Sequence, residues 1–164
     1  MTPFRLMTTA VVLAATVSAA AAQTLRPNAL LAGGDTPAQR KIALAQAAIA
    51  RDPKHAQAHA DLALALTQRA RETADPVYYQ QAEAAVQAAL AATPGHFDAR
   101  KVRAWALLGQ HRFAEALALA TALNREVPDD LMVYGILTDA HIELGHYDEA
   151  ERSAQWMLDL RPGN

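Results

Sequence analysis

Six histidines are the residues of this 164-residue chain best suited to chemistry. His55 and His59 stand four positions apart, which sets two imidazoles on one helical face at a spacing compatible with a metal ion. Ala56 rather than a glutamate follows His55, no third ligand lies at a set spacing, and the chain has no cysteine. His96, His111 and His146 fall where turns are expected, positions at which histidine is commonly a solvated residue. Nucleophiles are equally sparse: Ser18 and Ser153 are the only serines, and neither sits in a nucleophile elbow. Gly33-Gly34 is an isolated pair, not a phosphate-cradling loop. Asp129-Asp130 and Asp148-Glu149 precede apolar runs, where carboxylates offset the positive end of a helix dipole. The expectation is a chain that is not an enzyme, with no catalytic residue, no metal site and no cofactor.

The N-terminus reads as an address. Arg5 is followed by an uncharged run from Leu6 to Ala22 that ends in Ala20-Ala21-Ala22. A basic start, an apolar stretch and small residues before a cleavage point are the three parts of a secretory signal. The sequence thus predicts a signal peptide over 1–22 and an exported protein, periplasmic or secreted. No stable membrane insertion is expected after cleavage. Pro27 and Gly33-Gly34 then mark a linker over 23–35. Loss of Arg5 takes the net charge from −2 to −3 with no basic run, so no nucleic-acid partner is expected. Without cysteine there are no disulfides, and stability rests on packing.

The elements that position everything else are helices. Pro94, Pro128 and Pro162 are spaced 34 residues apart, and Pro53 precedes them by 41. A fixed period of this size is the mark of a repeat array. No segment shows the two-residue alternation of a half-buried strand, and abundant alanine favours close-packed helices. Helices are expected over about 37–50, 55–73, 76–92, 98–109, 112–126, 131–144 and 147–160. Thr36-Pro37 supplies the first N-cap and first-turn proline. The later helices of successive pairs start alike, with Tyr79, Phe113 or Tyr147 followed three positions on by Ala82, Ala116 or Ala150. Ala89, Leu123 and Met157 recur seven positions after each alanine. The extra seven residues of the first interval equal about two helical turns, so a first helix extended through residues 67–73 and ending at Ala74-Asp75-Pro76 is predicted.

These residues resemble the tetratricopeptide repeat family. Tyr134, Leu137, Ala140, Gly145-His146-Tyr147, Asp148-Glu149-Ala150 and Leu160-Arg161-Pro162 fall at the family's signature positions. The array spans 36–164, as a half-repeat over 36–55 and repeats over 56–96, 97–130 and 131–164. The resemblance implies an all-α, right-handed superhelix of stacked antiparallel helix pairs whose first helices line a concave groove. It also implies a non-catalytic protein-binding scaffold, and it gives His141 a packing position.

By the same resemblance the groove includes Gln57, Ala60, Leu64 and Thr67, then Asp98, Lys101, Trp105 and Leu108, then Met132, Gly135, Asp139 and Ile142. Leu64, Lys101, Trp105, Leu108, Met132, Asp139 and Ile142 are the candidate partner contacts. The family's carboxylate-clamp residues are not reproduced, because only Lys101 fits. Either the apolar stripe receives a helix or extended peptide anchored on Trp105, or neighbouring helices cover it. Arg100 and Arg103 replace apolar residues of the family. They either pair with nearby acids, Asp61, Asp98 and Asp139 being candidates, or form an anion contact for a partner. The last repeat leaves Trp156, Met157, Leu158 and Leu160 without a following helix. Two expectations follow: self-association through that uncapped repeat, or a chain that continues past Asn164 and serves as the accessory or targeting region of a larger protein.

Overall fold

Thr36 opens the first helix with a reciprocal cap. Its hydroxyl accepts from the Gln39 N–H at 3.3 Å while its own N–H donates to Gln39 Oε1 at 2.9 Å. The computed structural model describes residues 36–160; the expected signal peptide, the linker and Pro162 lie outside the described residues. Within them run α1 (Pro37–Arg51), α2 (Ala56–Thr73), α3 (Val77–Ala92), α4 (Phe97–Gly109), α5 (Phe113–Glu126), α6 (Leu131–Glu143) and α7 (Tyr147–Leu160), with no strand.

The proline period has a local cause that repeats with it. Asp52, Thr93 and Val127 each precede a proline and hold φ/ψ near −139/95, −138/97 and −132/93. A following proline disfavours the helical region for the residue before it, so each helix ends two residues before the proline. Each stop is completed by the same bond, from the N–H of Asp52, Thr93 or Val127 to the carbonyl of Ala48, Ala89 or Leu123 at 2.9–3.0 Å. The next helix begins three residues after the proline. Asp130 caps α6 by accepting from the Val133 N–H at 3.0 Å, and His96 Nδ1 accepts from the Ala99 N–H at 3.3 Å. His96 is thus a cap in addition to being a turn residue.

Three-residue turns fold α2 onto α3, α4 onto α5 and α6 onto α7 as antiparallel pairs. The seven-residue insertion is divided differently from expectation. α2 has 18 residues against 13 in α4 and α6, and α3 has 16 against 14 in α5 and α7. Five residues therefore prolong α2, and two, Val77 and Tyr78, are added ahead of the repeated aromatic Tyr79. The division keeps Tyr79 in register: its ring packs so close to the end of α4 that a Cβ on Gly109 would collide with the Tyr79 hydroxyl.

Alanine builds the core. Ala63, Ala65, Ala82, Ala89, Ala99, Ala104, Ala116, Ala120 and Ala140 are fully buried where helices meet. Larger side chains fill the layers between them, with Ile42 against Ala65, Leu66 and Ala82, then Val86 with Val102, then Leu123 with Val133 and Ile136. α2 packs on α4 and α4 on α6, while α3 and α5 each touch the helix before and the helix after them. The first helices thus form an inner layer and the second helices an outer one.

Candidate partner-binding groove

The inner layer places Leu64 and Gln68 of α2, Trp105 of α4, and Met132, Gly135, Ile136 and Asp139 of α6 around one open depression of about 360 Å3. The surface continues past Asp139 into a second hollow of about 330 Å3 bounded by Arg71, Leu108, Ile142 and Glu143. Toward α1 it continues past Leu64 to Lys41, Leu44 and Asp61. A larger hollow, about 680 Å3, lies at the α2–α3 and α4–α5 turns beside Tyr79 and His111 and shares Arg71 with the groove.

The structure sorts the sequence candidates. Leu64, Trp105 and Met132 are half-buried and border the same depression, and Ile142, 48% exposed, borders the second hollow. Leu108 belongs mainly to the core, 6% exposed, and only edges the second hollow. Ala60 and Thr67 are buried and do not line the groove; the Thr67 hydroxyl donates back to the Ala63 carbonyl at 2.9 Å. Gln57 is bound to Asp61 on its own helix at 2.9 Å.

Lys101 is engaged within the fold. Its ammonium contacts Asp130 Oδ2 at 2.7 Å and Asp98 Oδ1 at 2.9 Å, tying α4 to the cap of α6. Burial presses both Lys101 and Asp130 toward their neutral forms. Burial is the largest single influence on each, but their mutual hydrogen bond and attraction, added to Asp98 for Lys101 and to the Val133 N–H for Asp130, together exceed it, so Lys101 is raised and Asp130 lowered from their ordinary values.

Arg100 and Arg103 face the outer helices. Arg100 Nη2 donates to both carboxylate oxygens of Glu126 on α5, at 2.8 and 2.6 Å, and its Nε donates to the Gly95 carbonyl at 3.1 Å. Arg103 pairs with Glu83 on α3 at 3.1 Å. Their partners are Glu126 and Glu83, in place of the expected Asp61, Asp98 and Asp139. The reason is rotational: both arginines project from the flanks of α4 that meet α3 and α5, away from the inner face.

Arg71 is the groove residue that the sequence reading passed over. Its guanidinium carbon lies 5.3 Å from the centre of the Trp105 ring, a cation–π stack. Leu64, Gln68 and Arg71 follow steps of four and three along one helical face, so continuing the Leu64 stripe into the insertion would have found it. Arg71 also acts on Asp139. The concave wall desolvates the Asp139 carboxyl and raises it above its ordinary value; Arg71 pulls it back down, and Glu143 adds to the rise.

An array of antiparallel helix pairs whose first helices share one open face is a helical-repeat interaction scaffold. Residues 79–139 match the family model described as tetratricopeptide repeat. Among solved structures, the MamA RS-1 ArsTM double mutant aligns at 19% identity and TM-score 0.59, over 77% of this chain and 67% of that one. MamA MSR-1 aligns at 21% identity and TM-score 0.53, over 75% and 67%. MamA from Desulfovibrio magneticus RS-1, residues 41 to its end, aligns at 20% identity and TM-score 0.50, over 80% of both chains. These likenesses are of fold. No curated protein matches the chain in sequence. Residues 79–139 thus form a tetratricopeptide-repeat segment, and the helices on either side of it continue the same solenoid fold. No helix among the described residues is long and apolar enough to cross a membrane.

Proposed function

We propose that the chain is an exported, non-catalytic scaffold of the cell envelope. In this reading it holds an amphipathic helix or extended peptide of a partner protein in its groove. The observation that carries it is the depression in which Leu64, Trp105, Met132 and Ile136 come together beside Arg71 and Asp139. Large aromatic anchors at the centre of such surfaces supply most of the binding energy, and flanking charges set orientation. Binding here is an equilibrium on a preformed surface, without turnover. Export rests on the leader pattern of residues 1–22.

Trp105 and Trp156 are the two tryptophans, so Trp156→Phe leaves Trp105 as a single fluorescent reporter. Peptides selected on the purified chain should shift Trp105 emission on titration. Trp105→Ala should weaken them at least tenfold while the far-ultraviolet circular dichroism stays unchanged. Equal binding of the selected peptides to Trp105→Ala would remove the groove as the site.

A second reading rests on α7, where Trp156 is 48% and Leu158 52% exposed. A further repeat in a larger protein or a second copy of the chain would cover them. Sedimentation over a hundredfold concentration range tests the second copy: association lost in Leu158→Glu supports it, and a monomer throughout rejects it.

A further inference from the structure

The metal-compatible spacing in the sequence is that of His55 and His59, but the fold brings another pair into contact. His59 Nε2 lies 2.9 Å from the Pro53 carbonyl oxygen, and His55 precedes α2 as its cap residue. His141 and His146, on either side of the α6–α7 turn, instead meet Nδ1 to Nδ1 at 3.4 Å, with ring centroids 5.6 Å apart.

The backbone holds this pair in place. The His146 N–H donates to the His141 carbonyl at 2.8 Å, and the Gly145 N–H donates to the Ile142 carbonyl at 3.0 Å. Gly145 lies between them with φ +78°. These two bonds and the left-handed glycine form a Schellman motif, whose geometry brings the side chains flanking the turn into contact. The α4–α5 turn has the same pair of bonds, from Arg112 to Leu107 and from His111 to Leu108, but there the facing residues are Leu107 and Arg112. Only the last described turn presents two imidazoles.

The 3.4 Å separation is at the long end for a hydrogen bond between the rings, N–H···O bonds clustering at about 2.7–3.2 Å. It matches two nitrogens on a tetrahedral zinc ion: with Zn–N bonds of about 2.0–2.1 Å they stand about 3.3–3.4 Å apart. We propose that His141 and His146 bind a divalent transition-metal ion of the zinc class through both Nδ1 atoms. No group of three or more His, Cys, Asp or Glu among the described residues is placed to hold a metal, so water completes the shell. The nearby Glu149 carboxylate is paired with Arg152 at 2.9 Å, so the two imidazoles, and not a carboxylate, supply the protein ligands. The bound ion would staple the end of α6 to the start of α7 in the repeat over which no described helix lies.

The test uses the tag-free chain. Zinc titration by calorimetry should give one ion per chain, and zinc should raise the melting temperature. His146→Ala and His141→Gln should each lower affinity at least tenfold, with circular dichroism unchanged, and His59→Ala should leave it unaltered. Cobalt(II) should give the strong visible absorption of a tetrahedral site. No uptake at 100 µM zinc, retention in His146→Ala, loss in His59→Ala, or a weak octahedral cobalt spectrum would each overturn the proposal.

Discussion

Phe113 and Tyr147 stand 34 residues apart at the same place in successive repeats, yet Phe113 is half-buried and Tyr147 is 69% exposed. The contrast extends along their helices. Leu123 of α5 is fully buried, while its counterpart Met157 of α7 is half-buried. Both repeats close the turn between their paired helices with the same two backbone bonds. What differs is the next first helix: α6 lies over α5, and no described helix lies over α7. A repeat therefore encodes a face, and the neighbouring repeat determines how much water that face loses. Ala116 and Ala150 confirm the division of labour, being 0% and 5% exposed, because each is covered by the partner helix of its own pair.

The largest effect should come from testing that contrast directly. Leu123→Ala is expected to cost about 2–5 kcal/mol, the range for removing a large buried side chain. Met157→Ala should cost less than half as much. Urea denaturation of the two variants measures both, and equal losses would mean that α7 is covered in solution.

Next comes the joint between the two pairs. Asp130→Ala removes the cap of α6 and the partner of Lys101, with an expected cost of about 2 kcal/mol near neutral pH. The sign with pH follows from the shifts. Asp130 is lowered, so its contribution is present above the ordinary aspartate value and lost as pH falls through its folded value. Lys101 is raised, so its contribution is present below the ordinary lysine value and lost as pH rises through its folded value. The wild-type advantage over Asp130→Ala should therefore narrow at both extremes. A difference that stays constant into strong acid would contradict the pairing.

A smaller effect separates the two turns. Gly145 and His111 occupy matching positions with φ +78° and +58°. A left-handed conformation costs a non-glycine residue about 1–2 kcal/mol. His111→Gly should thus raise stability by about 0.5–1 kcal/mol, reduced by loss of the edge-on contact between His111 and Phe113 at 5.5 Å. Gly145→Ala should lower stability by about 1 kcal/mol, since a Cβ there meets no atom within 4 Å and the cost is conformational alone. Thermal melts of the two variants moving in the same direction would break the equivalence of the turns.

The smallest effect is expected on α6, which belongs to the last pair and packs against the one before it. The Asp139 carboxyl is raised, so its favourable contribution is present below the ordinary aspartate value and lost as pH rises through its folded value. Asp139→Asn should be slightly more stable than wild type at neutral pH and indistinguishable from it in strong acid. Melting temperatures recorded across that range will show the convergence, and an Asp139→Asn variant that is less stable at neutral pH would show that Arg71 outweighs desolvation.

Much of the fold is legible in the chain because its causes are local. Each proline stops a helix through the residue before it, Thr36 and Gln39 cap each other, and the repeated aromatic and alanine mark paired faces. The division of the insertion was not legible, because it depends on Tyr79 meeting Gly109 of another helix. The groove was legible as a stripe containing Leu64, Trp105 and Met132. Which stripe residues stay accessible was not: Thr67 and Leu108 share the period but point into the core.

Sequence alone determined the period, the helix boundaries near the prolines and the all-helical repeat class, since these depend on backbone restrictions and residues a few positions apart. Tertiary structure decided the assignments that depend on how helices rotate against one another. It set Lys101 on Asp130, Arg100 on Glu126 and Arg103 on Glu83, and it stacked Arg71 on Trp105. The contact between His141 and His146 was decided by a turn, because a left-handed glycine reverses the chain and brings residues five apart together. Charge pairs and ligand pairs require side chains to meet within a few ångströms, and that distance is fixed by helix rotation and turn geometry rather than by spacing along the chain.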